Sequence, residues 1–294
     1  MNPLVSIACI TYNHEPYIRQ CLDGFVMQQT DFEFEIVIHD DASTDGTRDV
    51  ILEYCSKYPH LFRTIFQKKN RYKEGKGIFV RFVFPICLGK YIAMCEGDDY
   101  WTDPYKLQKQ VDFLKDNQKY VICGHEYNIL YQSNLSNSIH RQYGAYDLND
   151  FVTKQIFCST LTVVFKKDAI DFERLSKYPH VIDSILFFHL LKKGDGYCLK
   201  DNMAVYRVHC RGVWSTASHE SQMIMDLTSR LSLCQFENSV EAASFLKILF
   251  NKPISRKFML KHSRLIIFAM YYLSKSFGLR EALVILWRKF FCKS

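Results

Sequence analysis

The feature that most constrains this chain is an alternation of short, largely apolar runs with amphipathic stretches, in which each run stops at a polar cluster. Leu4 to Ile10 gives way to Thr11-Tyr12-Asn13, Phe34 to His39 to Asp40-Asp41, and Lys90 to Cys95 to Glu96-Gly97-Asp98-Asp99. Runs that lack polar alternation are strands covered on both faces, and such strands belong to parallel sheets flanked by helices. Between the first two runs, Ile18, Leu22, Phe25 and Val26 fall on one helical face over residues 16–27. Val50, Ile51, Tyr54 and Cys55 repeat the pattern after the second run, and Leu107, Val111 and Leu114 after Asp98-Asp99, where Thr102 is expected as the helix cap. Further strands are expected at Arg63 to Gln67, Tyr120 to Leu130, Ser159 to Phe165 and Gly196 to Tyr206. The pattern predicts an α/β fold with a mostly parallel central sheet. After about Glu220 only helical patterning remains. The expected division is a catalytic domain over 1–218, with halves near 1–118 and 119–218, followed by a helical extension over 219–294.

Ligands of open α/β sheets bind beyond the carboxyl ends of the strands, which is where the three polar clusters fall. No Gly-x-Gly-x-x-Gly follows the first strand and no Gly-x-x-x-x-Gly-Lys-Ser/Thr occurs, so neither a dinucleotide fingerprint nor a P-loop handles phosphate here. Two adjacent carboxylates at a strand end suit Mg²⁺ or Mn²⁺, hard cations that take oxygen ligands and bridge to substrate phosphates. Without a cation the pair repels. Turn or cap chemistry is the competing explanation for Asp40-Asp41. The net charge of +7, from 38 basic and 31 acidic residues, is too small to indicate nucleic acid but favours anionic partners. The basic loop Lys68 to Lys73 is either a solvated loop or an attractor of such a partner. Eleven cysteines form no Cys-x-x-Cys pair, and several sit in apolar runs, as reduced core thiols do. The N-terminus has no signal-peptide pattern, and the longest apolar stretch, Leu265 to Leu273, falls short of the roughly 20 residues a bilayer needs. A cytoplasmic protein is expected.

Read together, Val5-Ser6-Ile7 with Thr11-Tyr12-Asn13-His14, then Glu35 to Thr47 with Asp40-Asp41, then Glu96-Gly97-Asp98-Asp99-Tyr100-Trp101 resemble glycosyltransferase family 2, which has the GT-A fold. The likeness continues through Thr102-Asp103-Pro104 and Lys106 to Gln110 to Tyr206-Arg207-Val208-His209 and Gly212-Val213-Trp214-Ser215, and it covers roughly residues 3–216. The resemblance implies a nucleotide-diphospho-sugar donor of the UDP-linked kind and a Mn²⁺ or Mg²⁺ cofactor. It implies that Thr11, Tyr12 and Asn13 line the nucleotide and that Asp41 accepts a hydrogen bond from the base. Asp98 and Asp99 correspond to the family's Asp-x-Asp motif, with Asp99 the direct metal ligand and Asp98 on ribose or metal. His209 is similar to a residue that reaches the metal or the diphosphate. Arg207 suits a phosphate by the geometry of its guanidinium. Trp214 is read either as lying over the sugar or the diphosphate or, the favoured reading, as core packing. Glu96 is expected behind the metal site. The family's catalytic base opens a helix, and Asp183 occupies that place, although Ile182 replaces the usual preceding Gly or Glu.

The function so implied is inverting sugar transfer to a glycan or lipid-linked saccharide, in bacterial envelope or capsule polysaccharide synthesis. A non-catalytic nucleotide-sugar-binding or scaffolding protein is the alternative. A sugar-nucleotide pyrophosphorylase is disfavoured, because Thr11 to Glu15 stands where such enzymes carry a Gly-rich basic loop. In the tail, Leu283, Leu286, Trp287 and Phe290 share a helical face flanked by Arg288, Lys289 and Lys293. That pattern fits peripheral contact at the inner face of the cytoplasmic membrane, with packing on protein as the other reading.

Overall fold

The computed structural model describes residues 2–74, 77–137, 143–155, 158–179, 181–212, 214–252 and 254–291. It divides into two compact units: residues 1–147 with 157–209, and residues 148–156 with 210–294.

The first unit is built on a ten-stranded sheet. Its strands are β1 (Val5–Thr11), β2 (Phe34–Asp40), β3 (Phe62–Phe66), β4 (Tyr91–Glu96), β5 (Tyr100–Trp101), β6 (Tyr120–Tyr131), β7 (Asn134–Asn137), β8 (Gly144–Tyr146), β9 (Val164–Lys166) and β10 (Asp195–Val208). The order is β3-β2-β1-β4-β9-β6-β10-β5, with β7 on β6 and β8 on β10. Strands β3, β2, β1 and β4 pair in parallel, as does β6 with β10, but β9 runs antiparallel between β4 and β6. The sheet is thus mixed. The expected strand at 159–165 is mostly a 3₁₀ turn at Thr160–Thr162, leaving three residues for β9.

Helices α1 (Glu15–Val26), α2 (Thr47–Lys57) and α3 (Lys106–Asp116) follow β1, β2 and β5. Ile18, Leu22 and Phe25 of α1 and Leu107, Val111 and Leu114 of α3 are fully buried against Ile7, Ile38 and Ala93 of the sheet. Each such side chain stabilises the fold by about 1.5–3 kcal/mol. Thr102 is not the cap of α3: its amide donates to the Met203 carbonyl, and the helix starts four residues later behind Tyr105.

The further α-helices among the described residues are α4 (Leu148–Lys154), α5 (Phe172–Ser176), α6 (Asp183–Leu191), α7 (His219–Glu237), α8 (Val240–Leu249), α9 (Arg256–Lys261), α10 (Ser263–Phe277) and α11 (Leu279–Phe291). The second unit comprises α4 and α7 to α11. Ser218, Ser239 and Ser255 cap three of its helices through their hydroxyls, as short polar side chains do. Phe151 of α4 packs on Phe245 of α8 with ring centroids 5.0 Å apart, which draws residues 148–156 into this unit. Arg230 is buried in it, stacked over Phe245 and paired with Asp226. No helix among the described residues is long and apolar enough to cross a membrane.

Candidate active site

The strand register lines up the polar ends. Thr11 lies opposite Asp40 and Ile10 opposite Glu96, so the loops after β1, β2 and β4 leave the sheet at one level. The first loop is held by Asn13, whose side-chain oxygen accepts from the Thr44 amide (2.8 Å) while its own amide donates to Ser43 Oγ (2.9 Å). Asn13 sits at φ 55°, a left-handed conformation that Asn tolerates better than most residues. Asp40 is structural: it is fully buried and meets Arg48 and the Ser43 amide. Asp41 faces the next loop. Its two oxygens accept from the amides of Arg71 (2.8 Å) and Tyr72 (3.0 Å), and its carbonyl from Asn70 Nδ2.

That loop is the basic stretch 68–74. Its charge is answered locally, since Glu74 takes both Arg71 and Arg81 at 2.6 Å, and these hydrogen bonds hold the Glu74 carboxyl down at about 2. Partial burial, with the charges of Glu96 and Asp183 behind it, raises the Tyr72 phenol.

After β4 the chain turns through Gly97. A Cβ there would lie 2.8 Å from Thr11 Cβ and Oγ1, so glycine permits the close approach of the two strand ends. Beyond it, one carboxylate oxygen each from Glu96, Asp98 and Asp99 lie within 4.8 Å of one another. Strand β10 returns beside them, because Ala204 and Val205 pair antiparallel with Trp101 and Tyr100. The Arg207 amide donates to Asp99 Oδ1 (2.7 Å), and its Nε to the Asp98 carbonyl (2.9 Å). The guanidinium also lies 4.9 Å from the ring centres of Tyr17 and Tyr100 and bonds Gln20. Arg207 is thus a brace between β10, α1 and the carboxylate turn.

Two imidazoles face Asp98: His209 Nε2 stands 2.9 Å and His14 Nε2 3.6 Å from its Oδ2. Burial alone would raise Asp98, but the bond from His209 and the proximity of both histidines bring it below its ordinary range. Burial lowers His14 despite Asp98. Asp99 differs. It is 1% exposed, its Oδ2 has no hydrogen-bond partner, and burial followed by repulsion from Asp98 pushes it well up. Glu96 is pushed up to about 8 by burial, then by Asp98 and Asp183. A carboxyl cluster so strained by its own charge, with a buried oxygen lacking a partner, is what a divalent cation would relieve. The donor set is all oxygen, which suits Mn²⁺ or Mg²⁺.

Asp183 opens α6 from the other half of the unit. It is not the cap, which is Ile182; its Oδ2 instead accepts from Thr160 Oγ1 at 3.0 Å. The turn carrying Thr160 is fixed from beneath. Trp101 Nε1 donates to the Leu161 carbonyl (2.9 Å), and Gln110 Nε2 to the carbonyls of Thr162 and Cys123. Lys106 completes the support, fully buried 4.0 Å above the Trp101 ring and bonded to Gln110 Oε1.

Of the residues expected from sequence, Thr11, Tyr12, Asn13, Asp41, Asp98, Asp99, Asp183, Arg207 and His209 belong to the first unit. Thr11 is buried with no partner for its hydroxyl, and Tyr12 is exposed. Trp214 belongs to the second unit and is exposed. Sequence reasoning gave His14 no role although it adjoins Asn13, and it had no signal for Tyr72 or Thr160.

A family model described as Glycosyl transferase family 2 matches residues 6–172. Rv1520, an uncharacterized protein of Mycobacterium tuberculosis, is 38% identical over 217 residues, 72% of this chain and 61% of its own length. The chain thus spans less than two thirds of that relative. TuaG of Bacillus subtilis, named for teichuronic acid biosynthesis, is 27% identical over 210 residues, 70% of this chain and 79% of TuaG. Among solved structures, residues 1–349 of S. aureus TarS in complex with UDP-GlcNAc superpose with a TM-score of 0.69 at 16% identity, over 96% of this chain and 86% of that one.

Proposed function

The chain belongs to glycosyl transferase family 2, and from that premise we propose that it transfers a sugar from a nucleotide-diphospho-sugar, UDP-linked, to a hydroxyl of a glycan or lipid-linked saccharide, with inversion. The observation that carries the reading is the cluster of Glu96, Asp98 and Asp99 at the carboxyl end of β4, with one oxygen of each within 4.8 Å of the others. The setting is polysaccharide synthesis of the kind for which TuaG is named.

In this reading Thr11, Tyr12 and Asn13 line the nucleoside, and Asp41 keeps acceptor capacity for the base beyond the two amides it holds. Asp99 and Asp98 hold the cation, with Glu96 as the third carboxylate. His209, bonded to Asp98, orients that carboxylate from behind, as partners of metal ligands commonly do. A bound Mn²⁺ or Mg²⁺ supplies neutralisation of the charge on the departing diphosphate. Arg207 fixes the carboxylate turn. Asp183, oriented by Thr160, takes the proton of the acceptor hydroxyl, whose oxygen forms the new bond to the anomeric carbon. The bond from that carbon to the diphosphate breaks, and its electron pair leaves with the nucleotide.

Calorimetric titration with UDP, GDP and CDP, with and without Mn²⁺, tests the reading. Metal-dependent binding of UDP supports it; folded protein that binds none of the three overturns it.

A further inference from the structure

Residues 255–294 hold nine of the chain's 38 basic residues and one of its 31 acidic ones; the first 254 carry 29 basic and 30 acidic and are close to neutral. The whole positive charge therefore resides in α9, α10, α11 and the few residues after them. The single acid there, Glu281, is already paired with Lys247 at 2.8 Å.

The same helices expose large apolar side chains. On α10, Ile267, Phe268 and Tyr271 are 68%, 47% and 55% exposed, while Ile266, Ala269 and Leu273 fill the inner face. On α11, Leu279, Leu283 and Trp287 recur every four residues along one side, all more than half exposed, while Ala282 and Ile285 are buried. Exposed cations interleave with both stripes, Arg264 and Lys275 on α10, Arg280 and Arg288 on α11. A helix that merely covers a core turns a polar face to water. Here the outer face is apolar and cationic together.

We infer that this face of α10 and α11 docks on an anionic lipid surface, with the apolar side chains entering the acyl boundary and the Arg and Lys groups meeting lipid phosphates. Charge complementarity selects this occupant. A second copy would bring like charge against like charge. A nucleic acid would satisfy the cations but leave six large apolar side chains against phosphate. Tyr271 and Trp287 carry the amphipathic rings favoured at a membrane–water boundary. The inference is independent of the chemistry at the carboxylate site.

Flotation of the whole chain with vesicles tests it. Vesicles of phosphatidylcholine with phosphatidylglycerol should bind the protein and vesicles of phosphatidylcholine alone should not. The triple variant Arg264→Gln, Arg280→Gln, Arg288→Gln should weaken binding by about 100-fold. Ile267→Ser with Leu283→Ser should weaken it by at least about tenfold, with unchanged far-UV circular dichroism in both variants. Absence of binding to either vesicle, equal binding to both, or full binding by folded variants overturns the inference. So does a concentration-dependent dimer that these substitutions dissolve, which would assign the face to a second copy.

Discussion

At the scale of single residues, the site separates carboxylates by environment. Asp98 is served by two histidines and keeps its charge, Asp99 is buried with one oxygen unpartnered, and Asp183 stands exposed with a single hydroxyl on it. Two substitutions separate the roles proposed for them. Asp99→Ala is expected to abolish Mn²⁺-dependent UDP binding without loss of the folded circular dichroism signal. Asp183→Asn is expected to bind UDP like the wild type but to lose transfer by at least about 100-fold, the scale of general-base catalysis. Equal turnover by Asp183→Asn removes it from the mechanism. Lys106 gives a pH prediction. Burial lowers its ammonium from 10.5 to about 7. Between those values the unfolded chain holds a proton that the folded one lacks, so this group's contribution to stability falls as pH falls from 10.5 to 7 and is flat below. The change is at most about 1.4 kcal/mol per pH unit. Chemical denaturation should show wild type gaining on Lys106→Met between pH 7 and 10; parallel curves would mean that the lysine stays charged over Trp101.

At the scale of elements, α1 is set against β5 at one glycine. A Cβ on Gly24 would stand 2.9 Å from the Trp101 backbone nitrogen and oxygen. Gly24→Ala improves helix propensity by about 1 kcal/mol, yet it should destabilise the protein by about 2 kcal/mol, because either α1 or β5 must move. Urea unfolding measures the difference, and a stabilised variant would show that the contact yields. The strands and α-helices before Glu96 were legible because their signals are local. A run such as Ser6 to Ile10 states its burial in its own composition, and the Ile18, Leu22, Phe25 spacing states which face α1 buries. Residues 159–165 misled for the converse reason. Their apolar content is that of a strand, but Thr160 to Thr162 turns to reach Trp101 and Gln110, partners that lie 60 and 52 residues away.

At the scale of the whole molecule, charge is segregated along the chain. The carboxylate site lies in sequence that is nearly neutral overall, and the excess cations lie in the last helices. The arginine triple variant is accordingly expected to keep wild-type UDP affinity by calorimetry while losing vesicle binding, because no proposed donor ligand lies in residues 255–294.

The sequence by itself determined the α/β alternation, the strand ends at Thr11, Asp41 and Asp98-Asp99, and the family, because buried strands and the polar residues at their ends are adjacent in the chain. It determined no contact between distant segments. That His209 and His14 share one oxygen of Asp98, that Arg207 braces Asp99 rather than standing open, that Asp41 holds the amides of the 68–74 loop, and that Thr160 orients Asp183 were decided only by tertiary structure. Each of these is a hydrogen bond or ion pair across 23 to 111 residues. Such a bond depends on how the sheet is ordered, and sheet order is fixed by packing and not by any local pattern.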